Sequence, residues 1–260
     1  MELSFFQIDA FTDKPFTGNP AAVVPLKEWL PDEMMQKIAS EMNLSETAFF
    51  VPLSDRHYHL RWFTPTIEAR LCGHATLSSA LALREIFEID GRLRFETQSG
   101  PLFVEYKDKK YALDMPKAEQ RMASELLPQI RGCFNIEPVA FFLGEENDMA
   151  IFEKADDVRS LIPDFTKIEE SKKDIIVTAP GTDCDFVSRY FAPLSGIPED
   201  PVTGSTHCQL VPYWETRLGK QAFYARQLSK RGGELWCHLA GDRVIVAGQG
   251  VCVMNGLLHL

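Results

Sequence analysis

Three short segments concentrate the residues that could do chemistry. The first, Leu44-Ser45-Glu46-Thr47-Ala48-Phe49-Phe50-Val51, sets one carboxylate, Glu46, against an apolar run. Burial beside such a run disfavours the charged form and raises a carboxyl pKa toward neutrality. There a group can both take and return a proton. The second is Cys72-Gly73-His74-Ala75-Thr76, with an imidazole one residue past a glycine. His74 could donate to a substrate or relay a proton. The third is Pro198-Glu199-Asp200-Pro201-Val202-Thr203-Gly204-Ser205. A residue before proline is held extended, so Asp200 sits in a defined loop. Plainer readings stand beside these: Glu46 as an exposed glutamate at a strand entrance, Asp200 and Ser205 as turn or capping residues, His74 as a helix-start hydrogen bond.

Gly73 and Gly204 each fall where a helix is expected to begin. A helix start offers unpaired backbone N–H groups and a partial positive charge, and a glycine there lets a ligand approach closely. Two such starts, expected to face each other across a cleft between two halves of the chain, suit a small carboxylate. Taken singly, either glycine reads better as a packing residue.

Cys72 raises a rival chemistry, in which two opposed thiols act as acid and base. Its counterpart in the second half is Thr203, and Cys208 is displaced along the next helix. Cys72 therefore reads as a small packed residue. Gly248-Gln249-Gly250 lacks the third glycine of a dinucleotide fingerprint, and no nucleophile elbow or phosphate loop is present. His57-Tyr58-His59 supplies two imidazoles but no partners to complete a metal site, so no metal is expected.

These segments need elements to hold them. Alternating patterns predict strands over residues 3–11, 21–24, 47–51 and 58–63, and further strands within 93–115. Residues 32–42, following Pro31 and with apolar positions at Met34, Met35, Ile38 and Met42, predict an amphipathic helix. A second helix, from Gly73 to about Phe87, is small or apolar on nearly every face, which predicts burial. Leu60-Arg61-Trp62-Phe63-Thr64-Pro65 returns as Ser188-Arg189-Tyr190-Phe191-Ala192-Pro193. Each copy leads through a loop to a small-residue segment, with Gly73 following Phe63 and Gly204 following Phe191. The chain reads as a duplication: an N-terminal half over 1–115, a C-terminal half over 116–250, and a last strand, 251–260, expected to cross back to the N-terminal half. Chance similarity of two strand-loop-helix units is the competing account.

The 260 residues are 45% hydrophobic and 25% charged, ordinary for a globular chain able to bury a core. A net charge of −10 argues against nonspecific binding to nucleic acid or anionic membrane. One local pocket can still attract a small anion. The six cysteines are scattered with no paired spacing, which fits a reducing, cytoplasmic setting. The N-terminus lacks the basic and apolar regions of a signal peptide. The apolar stretch 71–83 is too short to span a bilayer.

The segments Asp9-Ala10-Phe11, Phe16-Thr17-Gly18-Asn19-Pro20, Ser45-Glu46-Thr47-Ala48-Phe49, Cys72-Gly73-His74-Ala75-Thr76, Glu199-Asp200-Pro201-Val202-Thr203-Gly204-Ser205 and Arg231-Gly232-Gly233-Glu234-Leu235 together resemble the PhzF-like isomerases of phenazine biosynthesis. The resemblance implies the diaminopimelate epimerase-like fold: α+β, with two pseudosymmetric halves, each a curved, mostly antiparallel sheet around a central helix, and the active site between them. It implies Glu46 as general acid/base, with His74, Asp200 and Ser205 as the polar groups around the substrate. Gly73, Gly204 and Asn19 match substrate-binding positions. It further implies no metal, no organic cofactor and a homodimer. Two departures stand out: Thr206 where the family often has alanine, and Pro212 inside the second small-residue helix, where a kink or early end is expected.

The reading that follows is a cytoplasmic, cofactor-independent isomerase. It would move a proton by acid/base catalysis on a small, cyclic or amino-acid-like carboxylate. A non-catalytic binding or regulatory protein on the same fold is the alternative, and a two-thiol racemase is a third.

Overall fold

The computed structural model describes residues 1–260 and divides into two units, Met1–Met115 with Ile245–Leu260, and Pro116–Val244. Both are mixed α/β, with strands mostly antiparallel and few helices.

In the first unit the strands are β1 (Glu2–Ala10), β2 (Asn19–Pro25), β3 (Glu46–Ser54), β4 (His57–Phe63), β5 (Glu68–Ala69), β6 (Leu93–Glu96), β7 (Leu102–Lys107) and β8 (Lys110–Pro116). Helix α1 (Asp32–Met42) begins after Pro31, carries Asp32 and Glu33 in its first turn, and ends at Asn43 in the left-handed conformation. Acidic groups there complement the helix dipole. Its buried stripe of Met35, Ile38 and Ala39 covers Val24, Phe49 and Phe63 on one face of the β2–β3–β4 sheet. Helix α2 (Gly73–Leu81) is buried at every residue. It packs against β1, β2 and β3, so its small side chains are what let strands close around it. A π turn over Ala82–Ile86 extends it.

In the second unit the strands are β9 (Gln120–Met122), β10 (Ala140–Gly144), β11 (Asp148–Ile151), β12 (Ile175–Pro180), β13 (Phe186–Ala192), β14 (Ile197–Glu199), β15 (Ala222–Gln227) and β16 (Gly233–Ala240). The helices are α3 (Leu127–Ile130), α4 (Ala155–Ser160), α5 (Phe165–Glu170) and α6 (His207–Leu218). The last strands of the chain are β17 (Arg243–Gly248) and β18 (Gly250–His259), and β18 pairs antiparallel with β1 along nearly its full length.

The units repeat one strand order. β1–β2 and β10–β11 are antiparallel; β2–β3 and β11–β12 are parallel; β3–β4 and β12–β13 are antiparallel; β4–β6 and β13–β15 are parallel. The echoed arginines confirm that the copies are structural equivalents. Arg61 forks onto Glu68 at 2.7 and 2.8 Å, and Arg189 onto Glu199 at 2.7 and 3.0 Å. Each guanidinium also lies over the phenylalanine two residues on, Phe63 at 5.2 Å and Phe191 at 4.7 Å. Both half-buried clamps tie a strand to the short strand that leads toward a helix.

Two expectations need correction at α6. The helix starts at His207, not at Gly204-Ser205, which lie in the preceding turn. His207 N–H bonds to Gly204 O and Cys208 N–H to Ser205 O, the tighter three-residue spacing. Of the kink or early end expected at Pro212, the early end does not occur, since the helix runs on to Leu218. The carbonyl that proline deprives of its helical donor, Cys208 O, instead accepts the Ala118 N–H at 3.0 Å. An amide from the connection between β8 and β9 thereby satisfies the carbonyl that would otherwise lack a donor.

Candidate active site

The first unit gathers four of the singled-out side chains. Glu46 opens β3, in register with Ala21 of the parallel strand β2. His74 is the second residue of α2, and Cys72 is its N-cap residue, extended and without a side-chain cap bond. Asn19 opens β2 and is fully buried. The imidazole of His74 is the hub. Its Nε2 stands 3.2 Å from Glu46 Oε2, its Nδ1 is 3.2 Å from Asn19 Nδ2, and Cys72 Sγ is 3.4 Å from the same Nδ1. Gly73 lies between the thiol and the imidazole in the first turn.

Burial pushes the His74 pKa down to about 3. Its contact with Glu46 is therefore one between a neutral ring and a carboxyl group, not an ion pair. The Asn19 amide donates to Nδ1, which leaves the ring proton on Nε2, facing Glu46. That Nε2 makes no aligned hydrogen bond, so the proton is presented beside the carboxyl group without being locked onto it. The Glu46 side chain keeps 17% exposure while His74 keeps 4%, so Glu46 is the member of the pair that solvent or a ligand can reach.

The same three donors could in principle hold a cation, since one ligand atom each from Glu46, Cys72 and His74 fall within 4.8 Å of one another. The thiol and the carboxylate approach opposite ring nitrogens, however, and Nδ1 already accepts the Asn19 amide. The other histidine candidates are committed elsewhere: His57 Nε2 contacts Glu96 at 2.9 Å, and His59 packs edge-on against Trp29.

The second unit builds its own polar loop around Asp200. The Asp200 carboxylate, 5% exposed, accepts the Thr203 hydroxyl, and Asp200 N–H bonds to Tyr190 O at 3.0 Å. Gln227 pins this loop from both sides. Its amide nitrogen donates to Asp200 O at 2.9 Å, and its carbonyl accepts Thr203 N–H at 2.9 Å. His207 Nδ1 donates to Thr203 O at 2.9 Å, and burial pushes its pKa down to about 4. Gly204 and Ser205 occupy the turn between this pinned loop and α6, with Ser205 partly exposed.

Sequence reasoning discounted Cys72, which the fold brings against His74. It also passed over Thr203 as a ligand of Asp200, and over Gln227 and His207 altogether. Gln227 reaches Asp200 from 27 residues away, so no local pattern announces it.

Comparison with known proteins agrees with this architecture. Residues 8–256 match the family model described as phenazine biosynthesis-like protein. A relative named an uncharacterized isomerase in Pseudomonas aeruginosa is 45% identical over the full length of both chains. The crystal structure of a phenazine biosynthesis protein of the PhzF family from Enterococcus faecalis superposes with a TM-score of 0.94 at 40% identity, covering 100% of both chains. A hydroxyproline epimerase from Agrobacterium vitis shares the fold at 11% identity, with a TM-score of 0.61 over 99% of this chain and 92% of its own. No helix is long and apolar enough to cross a membrane.

Proposed function

From the premise that the chain belongs to the phenazine biosynthesis-like (PhzF) family, we propose that it is an isomerase in which Glu46 relocates a proton on a small carboxylate-bearing substrate. The observation that carries this reading is the Glu46–His74 contact at 3.2 Å with His74 neutral. As a carboxylate, Glu46 takes a proton from a carbon made acidic by a neighbouring unsaturated or carbonyl group. The Nε2–H of His74 faces the carboxyl group through the cycle and steadies its charged form before the proton arrives. Glu46 then returns the proton at a different carbon, so substrate and product are isomers and no electrons leave the pair. Asn19 keeps the ring in the tautomer this needs.

Asp200, Gly204 and Ser205 are proposed to hold the substrate, the first through an amine or hydroxyl and the others through its carboxylate. The pinning of Asp200 by Thr203 and Gln227 supports that role, because a preorganised carboxylate has little ordering cost left at binding. The reaction so written uses no metal and no organic cofactor. Elemental analysis of the purified protein is expected to find no stoichiometric transition metal.

The test is untargeted. The protein is incubated with a small-molecule extract in deuterated water, and metabolites are searched by mass spectrometry for a gained deuteron with no other change in composition. A metabolite that gains deuterium with the wild-type protein, and not with Glu46→Gln, supports the proposal. Deuteration that persists in the variant would remove Glu46 from the proton transfer, and none with the wild type would favour the non-catalytic reading.

A further inference from the structure

The loop from Phe11 to Gly18 joins β1 to β2, and one residue in it serves neither the core nor the Glu46–His74 pair. Ala10 is in register with Asn19, and Ala21 with Glu46. The loop therefore stands at the end of the sheet where β2 and β3 begin, the end at which Asn19 meets His74. Phe16 is 77% exposed, the most exposed large apolar side chain of the protein. Its backbone is left-handed, with φ +67°. Of the eight non-glycine residues with positive φ, six are polar or charged. The remaining one, Phe11, has its ring fully buried against Gly248, so packing offsets its backbone cost. Phe16 has no such packing. The left-handed region is unfavourable for a bulky residue, and an exposed ring gains nothing from burial. The loop nevertheless holds the residue in one conformation. Phe16 N–H donates to Oδ2 of Asp9, a fully buried residue, at 2.7 Å. The Thr17 hydroxyl donates to Lys14 O at 2.8 Å, Lys14 N–H donates to Thr12 Oγ1 at 3.0 Å, and the two threonine hydroxyls bond to each other at 2.5 Å.

Backbone strain that the surroundings over-determine, at a residue the fold does not use, points to a ligand. We propose that Phe16 is a specificity-determining residue, its ring forming an apolar wall beside Glu46 against which a hydrophobic face of the substrate packs. The proposal rests on the reading of Glu46 as the proton-transfer group and adds to it a feature of the substrate. That substrate is a carboxylate whose carbon skeleton, ring or chain, presents apolar surface next to the reacting carbon. Glu46, with 17% of its side chain exposed, is the member of the acid/base pair such a molecule can reach. The bonds from Asp9 and the two threonines fix the loop before the substrate arrives, so little ordering cost is left at binding.

The experiment compares wild type, Phe16→Gly, Phe16→Leu and Glu46→Gln. Each full chain is incubated in deuterated water with serial dilutions of one small-molecule extract, so that every labelled metabolite yields an apparent KM and a relative kcat. Phe16→Gly removes the ring and suits the left-handed backbone. It should raise the apparent KM by about tenfold or more, as for the lost burial of an aromatic face, with kcat within about threefold of wild type. Its urea midpoint should be no lower than that of wild type, a result that a structural role for the ring would not give. Phe16→Leu keeps an apolar side chain and should recover much of the KM. An unchanged KM in Phe16→Gly, with exchange lost in Glu46→Gln, would overturn this proposal and leave the proton-transfer reading standing. So would a lowered urea midpoint or a changed sedimentation coefficient in Phe16→Gly, which would assign the ring to the fold or to a contact between copies. Exchange that survives in Glu46→Gln, or none with the wild type, would overturn the proton-transfer reading and this proposal with it.

Discussion

His74 presents Nε2 to Oε2 of Glu46 at 3.2 Å, from a ring that burial keeps neutral. An imidazolium there would hold the carboxylate charged and make it a poor base. A neutral ring leaves it free to accept a proton. Replacing Glu46 with Gln keeps the shape and removes the proton acceptor. Turnover on any substrate found by deuterium exchange should fall by roughly 10²–10⁴-fold, the usual worth of a positioned acid/base group. The midpoint of urea unfolding should stay close to that of wild type. Activity within a few-fold of wild type would remove Glu46 from the mechanism.

Cys72 poses a sharper question, because its thiol touches the same imidazole at 3.4 Å. If the thiol were an obligatory second acid, Cys72→Ala would be as damaging as Glu46→Gln. The Asn19 amide already satisfies Nδ1 at 3.2 Å, so the ring keeps its tautomer without the sulfur. Cys72→Ala should therefore retain most of the turnover, measured in the same exchange assay. A loss matching that of Glu46→Gln would revive a thiol mechanism.

Local patterns carried part of this far. The apolar spacing over residues 32–42 marks α1 to the residue, because the helix is amphipathic and begins after Pro31 with two acids in its first turn. The echo of Arg61 in Arg189 marks the duplication, but not the clamps themselves. Their partners, Glu68 and Glu199, follow loops of different length and align with nothing. At α6 the local rule failed for a tertiary reason: Ala118 supplies the donor that Pro212 withdraws from the helix. The turn at Gly204-Ser205 is likewise set by side chains on one carbonyl, Thr203 O, which takes bonds from both Thr206 and His207. Thr206 stood out in the sequence only as a departure from the family's alanine, and His207 carried no local signal at all.

Acid should weaken the fold through its two buried histidines. Each has an ordinary pKa of 6.5, lowered on folding to about 3 for His74 and about 4 for His207, in both cases by burial. The unfolded chain takes up these protons below 6.5 while the folded protein refuses them. The stability associated with neutral burial is therefore complete above pH 6.5. It is lost as pH falls, at about 1.4 kcal/mol per pH unit for each ring, until the folded pKa is reached. His207→Asn preserves a donor toward Thr203 O and removes one titrating ring. Urea midpoints measured above and below pH 6.5 should show a shallower decline in the variant. Parallel pH profiles for the two proteins would mean that His207 is protonated without cost in the native state.

The loop before Asn19 decides whether His74 is correctly held. Gly18 has φ +67°, and a Cβ there would fall 2.2 Å from Ala10 O and 2.7 Å from Thr12 Cγ2. Both the backbone conformation and the space thus require glycine, and the next residue is the one whose amide sets the His74 tautomer. Gly219, at the C-cap of α6, provides the control: φ is +63° but a Cβ would meet nothing within 4 Å. Gly219→Ala should cost only the left-handed penalty, about 1 kcal/mol. Gly18→Ala should cost roughly 2 kcal/mol or more, because the carbonyl of Ala10 belongs to β1 and must move as well. It should also impair proton exchange, since displacing Asn19 frees the imidazole to turn away from Glu46. Comparable losses of stability in the two variants, with exchange activity intact in Gly18→Ala, would show that the loop does not position the imidazole.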